Sequence, residues 1–209
     1  MNVLGIDTGT ATLGWAIFST TARKYSRIGA LELGRDVAKK KTDDHADRIA
    51  RVAETLTDLM IGADIVVVER MSFPPGGTVP IALGFGAVIG AARATVLPPA
   101  VYTVSPQDWQ RAVLPKSGRR VDYSALERVI GQYVRGDKDA AISLDSLPVR
   151  SRTHAIDACA ISLMGAFRLG GCRLVGSRQT VAIRASNATD HISPRRRSLA
   201  PGYRNDPPH

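Results

Sequence analysis

The sequence has few cysteines and no long hydrophobic run, and each absence excludes a class of protein. Its 209 residues include two cysteines, Cys159 and Cys172, too few for a disulfide framework or a four-thiolate zinc site. The longest apolar run, residues 81–92, is too short to cross a bilayer. The N-terminus lacks a basic stretch and soon reaches Asp7, so no signal peptide is expected. We therefore expect a soluble, cytoplasmic protein.

Acidic residues are outnumbered, and the positive excess is concentrated near the C-terminus. The chain has 28 Lys and Arg against 19 Asp and Glu, and residues 168–209 hold eight arginines and only two acids. From about residue 186 the segment is rich in Ser, Asn, Pro and Arg and lacks the apolar residues that would offset the entropy of ordering. We predict a folded domain over 1–168 and a basic extension over 169–209, flexible from about 186. The extension either binds phosphates in a salt-sensitive way or is a solvated terminus without a role.

Hydrophobic periodicity predicts a mixed α/β fold. Three strands joined by short turns are expected to form an antiparallel meander over residues 2–7, 12–20 and 26–33. The rest of the chain alternates, with strands at 64–69 and 101–104, helices at 42–61, 79–95, 107–113, 122–134 and 153–169, and a polar loop at 136–152. This order predicts a mixed five-stranded sheet flanked by helices, its fourth strand parallel to its first.

Two acidic residues end predicted strands at positions where the pattern calls for an apolar side chain. Asp7 ends the first strand and Glu69 ends the fourth. If these strands are adjacent and parallel, both carboxylates emerge at the sheet edge where open α/β sheets bind ligands. Two carboxylates held close repel each other unless a cation lies between them. The alternative is that each acid caps a loop or faces water separately.

A histidine and an aspartate share one face of the last predicted helix. His154 and Asp157 are three residues apart and have small or apolar neighbours. Taken alone, such a pair is more often structural, with Asp157 near the helix dipole and His154 satisfied in the core. Together with the strand-end carboxylates, it forms a donor set that suits Mg²⁺ or Mn²⁺ rather than structural zinc. Two such ions could hydrolyse a phosphodiester, which in a basic protein indicates a metal-dependent nuclease.

A second basic cluster surrounds a Pro- and Gly-broken connection between two predicted helices. It consists of Arg111, Lys116, Arg119 and Arg120, and no acid occurs between Trp109 and Val121. Because loops often carry binding groups, we predict contact with nucleic acid here. The alternative is a basic loop that only aids solubility.

Three short motifs resemble those of RuvC-type Holliday junction resolvases, in the family's order. They are Leu-Gly-Ile-Asp-Thr-Gly at 4–9, Val-Val-Glu at 67–69 and His-Ala-Ile-Asp-Ala at 154–158, and the resemblance covers roughly residues 1–168. It implies the ribonuclease H-like fold, a homodimer, and branched DNA, such as a four-way junction, as partner. It also implies symmetric cleavage with two Mg²⁺ ions per active site, for which Mn²⁺ would substitute, leaving 5′-phosphate and 3′-hydroxyl ends.

The resemblance also implies roles for individual residues. Asp7, Glu69 and Asp157 would be catalytic metal ligands, and His154 would take a fourth position, where it would bind metal or transfer a proton. Phe73 falls near the family's aromatic that contacts junction bases, although it could instead anchor the Pro-Pro turn that follows it. The basic cluster falls in the family's basic segment, and the Gly-rich helix from residue 79 would lie near the dimer interface.

Other functions fit parts of the sequence. Gly14-Trp15-Ala16 resembles the RuvC domains of CRISPR effectors, but the 84 residues between Glu69 and His154 leave no room for a second nuclease module. The substrate could still be flaps or other branches. Asp-x-Gly-Thr at 7–10 also resembles the phosphate loop of sugar kinases and actin-like ATPases, which need a duplicated second domain that this chain lacks room for. A junction-binding module without cleavage is the last alternative, and the four intact candidate ligands argue against it.

Overall fold

In a computed structural model, residues 1–9, 11–34, 41–70, 79–114, 121–134 and 138–169 are described. The strands are β1 (Asn2–Thr8), β2 (Thr12–Ser19), β3 (Lys24–Glu32), β4 (Ile65–Glu69) and β5 (Ala100–Val104). The helices within these ranges are α1 (Lys41–Met60), α2 (Val79–Ala94), α3 (Pro106–Val113), α4 (Tyr123–Val134), α5 (Lys138–Asp145) and α6 (Val149–Leu169). The strands form one sheet in the order β3-β2-β1-β4-β5.

The sheet combines an antiparallel meander with parallel strands, which confirms the predicted fold class. β1 pairs antiparallel with β2, and β2 with β3. β1 and β4 pair in parallel with Ile6 opposite Val68, and β5 runs parallel beside β4. The next position along this register holds Asp7 on one strand and Glu69 on the other. Both acids therefore stand at the carboxyl ends of neighbouring parallel strands.

Helices cover both faces of the sheet and create two apolar cores. α1 and α2 bury the face that includes Leu4 and Ile6. On the other face lies α6, whose residues from Ala155 to Ala166 are buried almost without interruption, with α3, α4 and α5 packed around it. α6 is thus the central helix of the larger core, and its position determines what meets the end of β1.

Two glycines let α6 lie directly on the sheet. A Cβ atom at Gly5 on β1 would overlap the carbonyl oxygen of Ala158, and a Cβ atom at Gly14 on β2 would overlap that of His154. Because the obstacles are backbone atoms of a packed helix, they cannot turn aside as the end of a side chain could. Glycine at these two positions is what allows the backbone of α6 to approach the backbones of β1 and β2 so closely.

We expect Gly14→Ala to lower the free energy of unfolding by about 2–3 kcal/mol, because the added methyl group forces α6 away from β2. Urea denaturation followed by circular dichroism measures this change. Gly131→Ala in α4 is the control, since a Cβ there meets nothing within 4 Å in the described chain. The control should be neutral or stabilising by up to about 1 kcal/mol. Equal stability of the two variants would contradict the close contact of α6 with β2.

The predicted polar loop over residues 136–152 is wrong. The described part of this segment contains α5 and the first turn of α6, which begins at Val149, four residues before the predicted start. In α5, Ala140 and Leu144 are buried one turn apart. Such a short, narrow apolar stripe amid polar residues does not produce a clear helical period in the sequence.

No helix within the described ranges is both long and apolar enough to span a membrane. The predicted cytoplasmic location stays a prediction. The predicted basic extension lies outside the described residues apart from Leu169, so the boundary at 168 and the flexibility from about 186 also stay predictions.

Candidate active site

Four side chains converge at the edge of the sheet where β1 and β4 end. Asp7 and Glu69 come from these strands, and His154 and Asp157 come from α6. His154 Nδ1 lies 2.6 Å from Asp7 Oδ2. Glu69 is close enough to Asp7 and Asp157 for their negative charges to raise its pKa. The geometry agrees with the predicted convergence, while the chemical roles of the four residues stay predictions.

The start of α6 is tied to three other elements. The Ser151 hydroxyl donates a hydrogen bond to Glu32 Oε1 on β3 across 2.6 Å. The Arg152 guanidinium lies 3.4 Å from Glu127 on α4 and 3.3 Å from Asp145 on α5. These contacts fix the helix one turn before its histidine.

The early start of α6 removes one structural interpretation of its aspartate. Because the helix begins at Val149, Asp157 lies beyond its second turn rather than in its first. The influence of a helix dipole falls off within the first turn. An interaction of Asp157 with the helix N-terminus therefore does not account for its position.

The convergence of carboxylates raises their pKa values. Burial, followed by the charges of Asp7 and Asp157, raises the pKa of Glu69 to about 8. Burial and the charge of Asp7 raise the pKa of Asp157 to about 7. The hydrogen bond to Asp7 raises the pKa of His154 as well. All three shifts favour the protonated forms, as expected when several anions share one partly buried space.

The donor set suits a hard divalent cation. Carboxylate oxygens are preferred ligands of Mg²⁺ and Mn²⁺, and Asp157 Oδ1 is a buried oxygen without a hydrogen-bond partner in the described chain. As the side chains stand, however, no three His, Cys, Asp or Glu residues of the described ranges are arranged to hold a metal ion. Cation binding would therefore require side chains of the cluster to move closer together around the ion.

Two aromatic residues beside the carboxylates were missed by the sequence prediction. The Tyr123 hydroxyl donates to Asp157 Oδ2 across 3.2 Å. Trp109 is only 2% exposed. Its indole N–H lies close enough to Glu69 to lower the pKa of that carboxyl slightly. The N–H does not meet the geometric criteria of a hydrogen bond. Trp109 occupies an ordinary core position of a helix, and Tyr123 an ordinary first-turn position. Neither local pattern signals a neighbouring carboxylate.

Of the five residues predicted to contact DNA, one lies in the described ranges. Arg111 is exposed in the last turn of α3, two positions after Trp109. The other four lie outside the described residues, and their roles stay predictions: Phe73, Lys116, Arg119 and Arg120.

The strand order and the flanking helices define a RuvC-type, ribonuclease H-like fold. Among solved structures, the chain is similar to RuvC of Thermus thermophilus, with 20% identity, a TM-score of 0.57, and coverage of 80% of this chain and 94% of that one. It is also similar to T. thermophilus RuvC in complex with a Holliday junction substrate, with 21% identity, a TM-score of 0.56, and coverage of 80% and 93%. No family model and no curated protein sequence matches the chain. The predicted resemblance to RuvC-type proteins is confirmed at the level of the fold.

Proposed function

We propose that this protein is a structure-selective DNA endonuclease that resolves four-way junctions by metal-dependent phosphodiester hydrolysis. The observation that carries the proposal is the convergence of three carboxylates and a histidine at one edge of a RuvC-type sheet. A similar structure contains a Holliday junction. The net charge of +9 also favours a polyanionic partner.

The four side chains would divide the chemistry between cation binding and proton transfer. Asp7, Glu69 and Asp157 would hold two Mg²⁺ or Mn²⁺ ions, which when bound supply an activated water and stabilise the leaving oxygen. His154 is held through Nδ1 by Asp7, so Nε2 is the nitrogen left to bind metal or to donate a proton. Its raised pKa enlarges the protonated fraction near neutral pH, which is the form that can donate. We expect products with 5′-phosphate and 3′-hydroxyl ends.

We further propose that the chain acts as a homodimer, because a two-fold protein can place two equal sites on a two-fold junction. α2 has features that suit an interface helix. Its one charged residue is Arg93, and a Cβ at Gly86 or Gly90 would meet nothing within 4 Å in the described chain. Another backbone could therefore approach this face closely.

Cleavage of defined DNA substrates tests the proposed function. We expect a labelled four-way junction to be cut at paired, symmetric positions in Mg²⁺ or Mn²⁺, with no cleavage in EDTA and much slower cleavage of linear duplex. End mapping should show the expected phosphate and hydroxyl termini. Preferential cleavage of a flap would instead indicate a related nuclease for other branched DNA. Tight junction binding without cleavage in either cation would favour the non-cleaving binding module.

A further inference from the structure

A tyrosine outside the four candidate ligands contacts one of them. Tyr123 is the first residue of α4, and its hydroxyl donates a hydrogen bond to Asp157 Oδ2 across 3.2 Å. The other carboxylate oxygen, Oδ1, is buried and has no hydrogen-bond partner in the described chain. The two oxygens of Asp157 are therefore not equivalent, since Oδ2 accepts a hydrogen bond from the protein and Oδ1 does not.

The position of this tyrosine is established by contacts that do not involve Asp157. Asp122 Oδ1 accepts a hydrogen bond from the Ala125 N–H across 3.0 Å, which caps the start of α4. Leu126, in the same first turn, is fully buried. The start of the helix that carries Tyr123 is thus fixed independently of Asp157. The phenol can therefore restrict the orientation of the Asp157 carboxylate.

A carboxylate needs such a contact to keep one orientation. The last torsion of an aspartate side chain has broad, roughly two-fold preferences, so either oxygen can be turned toward a given neighbour. Side chains with rings contact or approach the carboxylates of the site: His154 is hydrogen-bonded to Asp7, Tyr123 is hydrogen-bonded to Asp157, and Trp109 lies near Glu69. Of the two neighbours that the sequence did not predict, Tyr123 makes the direct hydrogen bond.

We propose that Tyr123 is a positioning residue, which occupies Oδ2 of Asp157 and thereby directs Oδ1 toward the divalent cation. The inference rests on the proposed function, because it assigns a role within that same site. Tyr123 acts through Asp157, without itself binding the cation. Its loss should therefore weaken cation binding and leave junction binding unchanged.

Removal of a single oxygen tests this role. Tyr123 is 39% exposed, so Tyr123→Phe deletes the hydroxyl without opening the core. We expect the dissociation constant for Mn²⁺, measured by titration calorimetry on the DNA-free full chain, to rise about 10-fold. The Mg²⁺ concentration for half-maximal junction cleavage should rise in parallel. Junction affinity in EDTA should match the wild type, and the thermal midpoint in EDTA should fall by at most a few degrees, because only one hydrogen bond is lost. Tyr102→Phe is the matched control, since Tyr102 is a tyrosine of similar exposure, 44%, on β5.

The possible outcomes separate this inference from the proposed function. Equal Mn²⁺ affinity in Tyr123→Phe and the wild type would overturn the inference alone, provided that the wild type binds Mn²⁺ and cuts the junction. Weaker junction binding with unchanged Mn²⁺ affinity would also overturn it and assign the phenol to DNA contact. A wild-type protein that neither binds Mn²⁺ nor cuts would overturn the proposed function, and the inference with it.

Discussion

Asp7→Asn should reduce the single-turnover rate of junction cleavage at least about 10³-fold at saturating Mg²⁺. The reason is that the amide removes a negatively charged oxygen ligand of the proposed cation site. Glu69→Gln and Asp157→Asn should have similar effects. If the carboxylates act as a unit, a double variant should lose little more than either single variant. Rapid-mixing assays on a labelled four-way junction measure these rates.

Junction binding should survive the loss of Asp7. Neutralising a carboxylate removes repulsion toward phosphates, so affinity in EDTA should be equal to or tighter than that of the wild type. Asp58→Asn is the control for loss of one negative charge, since Asp58 is exposed on α1, across the sheet from α6. Cleavage in Mg²⁺ by a variant lacking all three carboxylates would show that the active site lies elsewhere.

In EDTA, the thermal midpoint should fall as the pH rises from about 5.5 to about 8.5. The folded-state pKa values of Glu69 and Asp157 are about 8 and about 7, well above their ordinary values, and that of His154 is also raised. The folded protein therefore binds more protons than the unfolded chain in this window, and stability is lost as those protons leave. We expect a loss on the order of 3 kcal/mol, or about 6–12 °C, by differential scanning calorimetry.

Divalent cations should reduce this fall in the midpoint. Because a cation competes with protons for the same oxygens, Mg²⁺ should raise the midpoint more at about pH 8 than at about pH 5.5. The double variant Glu69→Gln, Asp157→Asn should show a flatter pH dependence and exceed the wild type in stability at high pH in EDTA. A wild-type midpoint that increases with pH over this window would contradict the assigned pKa shifts.

The edge position of the strand carboxylates could be predicted because strand geometry is regular. Alternating faces put Asp7 on the row of Val3 and Gly5, and the β-branched run before Glu69 is typical of a buried parallel strand. Parallel pairing then places both ends at one edge. The helical spacing of His154 and Asp157 predicted a shared face, but their approach to Asp7 depends on how closely α6 lies on β1 and β2.

Features that depend on tertiary packing could not be predicted. Gly5 and Gly14 resemble ordinary strand glycines until α6 is placed against them. Tyr123 and Trp109 reach the carboxylates only because α3 and α4 pack beside α6. α5 was missed because its buried stripe is too short to compete with its polar composition.

The burial of α6 links the candidate site to the global unfolding of the domain. This helix carries His154 and Asp157 and also supplies the longest uninterrupted run of buried residues in the described ranges, from Ala158 to Ala166. Because Asp157 is flanked in this helix by buried residues, displacing it from the site disturbs the centre of the domain. We therefore expect the candidate site to be lost in the same cooperative transition in which the domain unfolds.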